Sequence, residues 1–290
     1  MRIDLLAGTS YNPAVMPSPV PTILVFDSGL GGLTVFSEVL KARPDARFVY
    51  AGDDAGFPYG RLSQEALTVR VLAVMERLIG LYHPQLVVIA CNTASTAVLP
   101  PLRERFSVPF VGTVPAIKPA ALATQTGYVT VLATPGTVAR DYTRDLIETY
   151  AGGCKVNLVG SRRLAGFAEA ELAGNPVSDG ELLDELLPCF VEGEGGRTDV
   201  VALSCTHYPL LLPRFQKLAP WPVTWIDPAP AIARRVTQLI GPPVPGHEAD
   251  ENEAVAVFTS GAGITPAFRE ALRGKGLPAV VIEDMPLLQG

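Results

Sequence analysis

Ten short apolar runs set the rhythm of this chain, at 23–26, 47–51, 86–90, 108–111, 128–133, 155–159, 199–203, 223–226, 254–258 and 278–282. Each has the length of a buried strand, and helix-length amphipathic segments lie between them. Strands that alternate with helices build a mainly parallel sheet covered on both faces. Ten strands are too many for one tidy sheet in 290 residues. The expected fold is therefore two similar α/β domains, each a mainly parallel sheet flanked by helices, with the active site in the cleft between them. The proline-bearing segment 112–120 is one crossing and IDPAP at 226–230 the other. This gives a first domain of 23–113 plus 228–290, a second of 114–227, and a flexible N-terminal extension at 1–22.

Local signals support the alternation. Ser63 can cap a helix whose apolar face is Leu67, Val71, Val74, Leu78 and Leu81, ending near His83-Pro84 because the residue before proline avoids helical geometry. Ser178 and Glu181 form a capping box ahead of Leu182 and Leu183, and Pro188 kinks or ends that helix. Pro100-Pro101 is expected to interrupt the helix that follows Cys91.

The net charge of −6, with no basic run, argues against nucleic acid or an anionic membrane surface as the main partner. No apolar segment approaches the roughly 20 residues of a spanning helix. The first residues lack the basic start and apolar core of a signal peptide, so the cytoplasm is the expected compartment. Cys91, Cys154, Cys189 and Cys205 contain no CxxC, and His83, His207 and His247 are scattered, so no zinc site is expected. In a reducing compartment these thiols are either core filler or reactive groups.

In α/β folds ligands sit beyond the carboxyl ends of the strands, and four such exits stand out. FDSGLGGL at 26–33 offers Asp27 or Ser28 as a helix cap, and glycines that let the backbone approach a ligand closely. It is not a dinucleotide fingerprint, because the third glycine of GxGxxG falls on Thr34. YAGDDAGFPYG at 50–60 is either a solvated connection or a loop over a small ligand. LVVIACNTAS at 86–95 and VVALSCTHYP at 200–209 repeat one device: paired valines, a small segment, cysteine, then hydroxyl-bearing residues at a helix start. One exit cysteine is more often packing than chemistry. Two matched exits reverse that preference.

A helix N-terminus favours a thiolate. Two thiols facing each other across a cleft suit inversion of a stereocentre, in which a proton leaves one face of a carbon and another arrives on the opposite face. A thiol with an ordinary pKa of about 8.5 serves as acid or base with modest tuning. A Cys-His nucleophile using His207 leaves Cys91 idle, and a redox dithiol needs neighbouring cysteines. Cys154 and Cys189 read as structural. His207 either satisfies a backbone carbonyl or supports Cys205, and Asp27 is its counterpart beside Cys91.

Together these motifs resemble the cofactor-independent glutamate racemases of bacterial cell-wall synthesis, within the aspartate/glutamate racemase superfamily. The matches are FDSGLGGLTV at 26–35, FPYG at 57–60, ACNTAST at 90–96, VPAIKPAA at 114–121, GTVARDYT at 136–143, SCTHYPLL at 204–211 and AIARR at 231–235. VPAIKPA and LATPGTV look most like the proteobacterial branch. The resemblance implies Cys91 and Cys205 as the two acid/bases, Cys91 acting on D-glutamate and Cys205 on L-glutamate. It also implies substrate contacts from Asp27, Ser28, Tyr59, Gly60, Asn92, Thr93, Thr206 and His207, and an auxiliary role for Glu169 in GFAEAEL. No pyridoxal phosphate, metal or nucleotide cofactor is implied. A homodimer and activation by a UDP-muramyl-alanine precursor are. Gly56 stands where relatives usually carry a larger side chain, and the segment before Ile23 has no counterpart in typical members. The rival readings are an aspartate or broader amino-acid racemase, and a non-catalytic small-ligand binding protein.

Overall fold

The computed structural model describes residues 20–246 and 253–287. The expected extension lies outside the described residues as far as residue 19, as does His247. In chain order the first half contains β1 (Thr22–Asp27), α1 (Leu33–Ala42), β2 (Arg47–Gly52), α2 (Gln64–Tyr82), β3 (Leu86–Ile89), α3 (Asn92–Arg105), β4 (Phe110–Gly112), α4 (Ile117–Ala123), β5 (Tyr128–Ala133), α5 (Pro135–Val138) and α6 (Asp141–Tyr150). There follow β6 (Lys155–Gly160), α7 (Leu164–Leu172), α8 (Asp179–Leu186), β7 (Glu192–Gly193), β8 (Gly196–Arg197), β9 (Val200–Ser204), α9 (Leu212–Leu218), β10 (Thr224–Ile226), α10 (Ala229–Ile240), β11 (Val255–Phe258), α11 (Pro266–Arg273) and β12 (Ala279–Ile282).

The ten expected strands are present and divide between two parallel sheets, six in the order β12-β11-β2-β1-β3-β4 and four in the order β10-β9-β5-β6. The two-residue strands β7 and β8 form a small antiparallel hairpin that the apolar pattern did not signal. Both are mostly exposed and glycine-rich, so no apolar run marks them. The chain leaves the first sheet after β4 and re-enters after β10, where α10 lays Ala229, Ile232, Ala233 and Val236 into the core beneath β1 and β2. A second apolar layer on the opposite face of that sheet joins α2 and α3 to β1 and β3. Burial at about 25 cal/mol per Å² of apolar surface makes these layers the main stabilising term.

The Ser63 cap is formed, its hydroxyl accepting from the Ala66 amide at 3.2 Å, and α2 stops where His83 turns left-handed at φ 45°. Leu81 does not belong to the buried face; it is 40% exposed, and Met75 completes the stripe. The capping box on α8 is closed in both directions, and Pro188 tightens the following turn into a 3-10 helix. Pro100-Pro101 does not interrupt the helix after Cys91. α3 runs through both prolines, held by buried Val98, Leu99 and Leu102, so packing offsets the two missing amide donors.

Register sets the geometry that matters. Asp27 pairs with Gly52, Phe26 with Ile89, and Ala133 with Ser204. The exits carrying Asp27 and Cys91 are thus level neighbours in one sheet, and those carrying Thr134 and Cys205 are level neighbours in the other. Replacing Ser178 with Ala should remove about 1 kcal/mol of local stability. Faster amide exchange confined to α8, with α2 unchanged, is the expected readout.

Candidate active site

The two halves meet through short polar contacts at these exits. Asp27, fully buried at the end of β1, accepts at Oδ1 from Thr206 Oγ1 (3.1 Å) and at Oδ2 from the Gly29 amide (3.1 Å). Thr34 Oγ1 lies 3.1 Å from the Thr206 carbonyl, to which it donates. Neither Asp27 nor Ser28 caps α1, contrary to expectation; the residue before that helix is Gly32, with no side-chain cap. Asp27 is turned inward toward the other half instead.

Cys91 directly precedes α3 and is 6% exposed, with Ser28 Oγ 3.8 Å from its sulfur. Burial pushes this thiol's pKa far up, and the charges of Asp27 and Cys205 add to the effect. The Ala94 amide and the Ser28 hydroxyl oppose it. Cys205 does not begin an α-helix. It precedes a 3-10 turn over Tyr208–Leu211, and α9 starts only at Leu212. Its neighbour is an imidazole, with Sγ 3.8 Å from His207 Nδ1. His207 Nε2 lies 2.8 Å from Glu169 Oε1 and 3.2 Å from the Gly31 amide nitrogen. When Nε2 is protonated it donates to Glu169; when bare it accepts from Gly31. Burial pushes the His207 pKa down, but hydrogen bonds to Cys205 and Glu169, with the charges of Cys205 and Asp27, raise it well above the usual range. A carboxyl side chain therefore stands on the Cys91 side of the site and an imidazole beside Cys205.

Gly29 and Gly31 serve this contact between halves. A Cβ on Gly31 would sit 2.3 Å from His207 Nδ1, and one on Gly29 would sit 2.7 Å from Glu169 Oε1. They make room for side chains of the second half, where the sequence suggested room for a ligand. The Tyr50 hydroxyl donates to the Gly29 carbonyl at 2.7 Å and secures the loop.

Asn92 and Thr93 lie in the first turn of α3. Both side-chain polar atoms of Asn92 are buried without a hydrogen-bond partner. A buried amide left unpaired is costly, so these two atoms are available to any polar group that enters the site. Thr93 Oγ1 lies 2.9 Å from Thr134 Oγ1 and 3.3 Å from Thr137 Oγ1. Thr134 and Thr137 were not singled out from the sequence. The strand-exit rule applied to β5 finds them, since Thr134 caps α5 as Cys91 precedes α3. Gly60 approaches the same cluster, a Cβ on it lying 3.5 Å from Thr134 Cβ. The Tyr59 phenol is buried and donates to Asp53, so only its main chain is left to face a ligand. Gly56 is tightly enclosed, with a Cβ 2.7 Å from both Asp53 Oδ2 and Tyr59 Cε1.

Among the described residues no three His, Cys, Asp or Glu side chains gather as a metal site. No helix among them is long and apolar enough to cross a membrane. Cys189 is fully buried in the apolar cluster that also includes Cys205, and Cys154 is partly buried at a core edge.

Two matched thiols, one beside a carboxylate and one beside an imidazole, make a constellation suited to acid/base chemistry from two sides. Residues 33–236 match the family described as Asp/Glu/Hydantoin racemase, and the chain belongs to it. It is 52% identical over 272 residues to the glutamate racemase of Brucella anthropi, covering 91% of this chain and 98% of that one. It is 53% identical over 258 residues to the glutamate racemase of Agrobacterium fabrum, covering 88% and 93%. Among solved structures, Escherichia coli glutamate racemase in complex with L-glutamate and the activator UDP-MurNAc-Ala aligns with a TM-score of 0.82 and 39% identity, covering 93% of this chain and all of that one.

Gly31→Ala should force the His207 ring away from Cys205. A shift of about 1 Å near the reacting groups costs on the order of 10²-fold in turnover. Activity should fall by that factor while circular dichroism stays unchanged.

Proposed function

We propose that this protein is a glutamate racemase that interconverts L- and D-glutamate by proton transfer between two cysteines, supplying the D-isomer for peptidoglycan. The observation that carries the reading is the convergence of Cys91 and Cys205 from two separate sheets, with Asp27 and Thr206 bonded across the same gap. Cys91, as thiolate, takes the α-proton of D-glutamate, and the Cys205 thiol returns a proton to the opposite face. L-Glutamate runs the sequence in reverse. The electron pair left at the α-carbon spreads into the adjacent carboxylate, whose charge the neighbouring donors stabilise. Burial and the charge of Asp27 raise the Cys91 pKa. The substrate ammonium, received by Asp27, supplies the opposite charge that favours the thiolate. His207, oriented by Glu169, supports Cys205. Ser28, Asn92, Thr93, Thr206 and the main chain of Tyr59-Gly60 are the proposed remaining contacts, joined by Thr134 and Thr137.

We propose the domain limits 23–113 plus 228–290 and 114–227, a division supported by the membership of the two sheets. A cavity of about 570 Å³ lies against both crossings between them, lined by residues including Pro115, Lys118, Tyr150, Asp227 and Arg235. Its position and cations support it as the place for an anionic precursor such as the UDP-muramyl-alanine activator. A homodimer and a cytoplasmic location complete the proposal. The dimer rests on the resemblance, and working thiols call for a reducing compartment.

Purified protein incubated with D-glutamate and no added cofactor should lose optical rotation. Inversion of aspartate alone would transfer the reading to an aspartate racemase, and inversion of neither would favour a binding protein. Cys91→Ala and Cys205→Ala should each lower racemisation by about 10³-fold or more; full activity in either would sink the two-thiol account. Lys118→Ala should keep basal turnover and lose activation by the precursor, measured as the ratio of rates with and without it.

A further inference from the structure

The loop at 53–60 touches the site at two points. Phe57 packs on the His207 ring with centroids 5.5 Å apart, and Gly60 reaches the threonine cluster of the other half. What sets the loop in place is a buried polar knot behind it. Asp53, fully buried, accepts from Arg70 Nε at 2.9 Å and from Arg70 Nη2. It also accepts from the Tyr59 hydroxyl and from Thr259 Oγ1, the latter at 2.6 Å. Asp54 accepts from the Ser260 amide at 2.8 Å and the Ser260 hydroxyl at 2.6 Å. Arg70 faces the other way as well. Its Nη1 donates to the Pro286 carbonyl at 3.2 Å and its Nη2 to that of Met285, in the segment after β12. The Met285 amide returns to the Thr259 carbonyl at 2.8 Å. The Arg70 side chain is 9% exposed, and its hydrogen bonds go to Asp53, Met285 and Pro286, to neither thiol.

From this we infer that Arg70 is a positioning residue for the substrate loop, tying the C-terminal segment at 285–286 through Asp53 and Tyr59 to the Tyr59-Gly60 main chain. The inference rests on the racemase reading and deepens it. A buried bidentate guanidinium–carboxylate pair is directional, so it fixes the Asp53 carboxylate in one orientation. That carboxylate fixes the Tyr59 phenol, and the phenol fixes the backbone beside it. Enclosed Gly56 leaves the loop no slack at its midpoint. The thiols keep their own polar partners, Ser28 and His207, to which no member of the knot is hydrogen-bonded, and the loop meets His207 only through the apolar face of Phe57. Loosening the knot should therefore weaken substrate binding more than the chemical step.

The test uses Arg70→Met, Tyr59→Phe and the double variant of the full chain, with KM and kcat measured for both enantiomers. Tyr59→Phe keeps the buried ion pair intact, so it answers the question even where Arg70→Met does not fold. The expected result is a KM raised about tenfold by either substitution, with kcat within about threefold. The double variant should be no worse than the worse single one, because both substitutions cut the same chain of contacts. Arg105→Met, which breaks an exposed pair with Glu76, should change nothing. An unchanged KM in Tyr59→Phe, a fall in kcat alone, or multiplicative effects in the double variant would overturn the assignment. Absence of turnover in the unaltered protein would overturn the racemase reading on which it rests.

Discussion

Parallel strands point the same way, and the site depends on that constraint. In each sheet the neighbouring central strands end level, so residues just past those ends are brought together without further design. In the larger sheet these are Asp27 and Cys91; in the smaller they are Thr134 and Cys205. Two sheets, each offering one thiol and one oxygen-bearing partner, need only face each other to make a two-sided site. The Asp27–Thr206 hydrogen bond is where they do so.

The facing halves are alike in topology and unlike in charge. Cys91 has a buried carboxylate for a neighbour, and its burial penalises the thiolate. Cys205 has an imidazole backed by Glu169. A symmetric reaction is thus proposed for an electrostatically asymmetric site, in which each thiol meets a different local field. Proton transfer in the two directions need not have matched barriers, because the charge that appears on sulfur is stabilised by different groups.

Close approach of the halves depends on residues with nothing to contribute but their size. Gly29 and Gly31 let Glu169 and His207 come within contact of the β1–α1 loop. Gly60 allows the 53–60 loop to reach Thr134, while the Asp53 knot behind that loop carries the hydrogen bonding. Small residues stand in front and a buried ion pair behind, whose added hydrogen bonds offset part of the cost of taking both charges out of water.

The ten strands, the α2 and α8 caps and the paired exit cysteines were legible in the sequence, because apolar period, capping residues and motif spacing are local properties. Leu81 and Pro100-Pro101 were misread for a related reason: whether an apolar residue is covered, or a proline tolerated, depends on what packs against the helix. Only the tertiary structure decided that Asp27 turns inward to Thr206 in place of capping α1, and that Gly29 and Gly31 admit Glu169 and His207. It also decided that Thr134 and Thr137 join Thr93, and that Tyr59 gives its hydroxyl to Asp53. Each of these is a contact between groups far apart in the chain, set by the meeting of two sheets, and no local pattern encodes the distance between them. The sequence alone determined which groups stand at the strand exits; the packing of the two halves determined what each group touches.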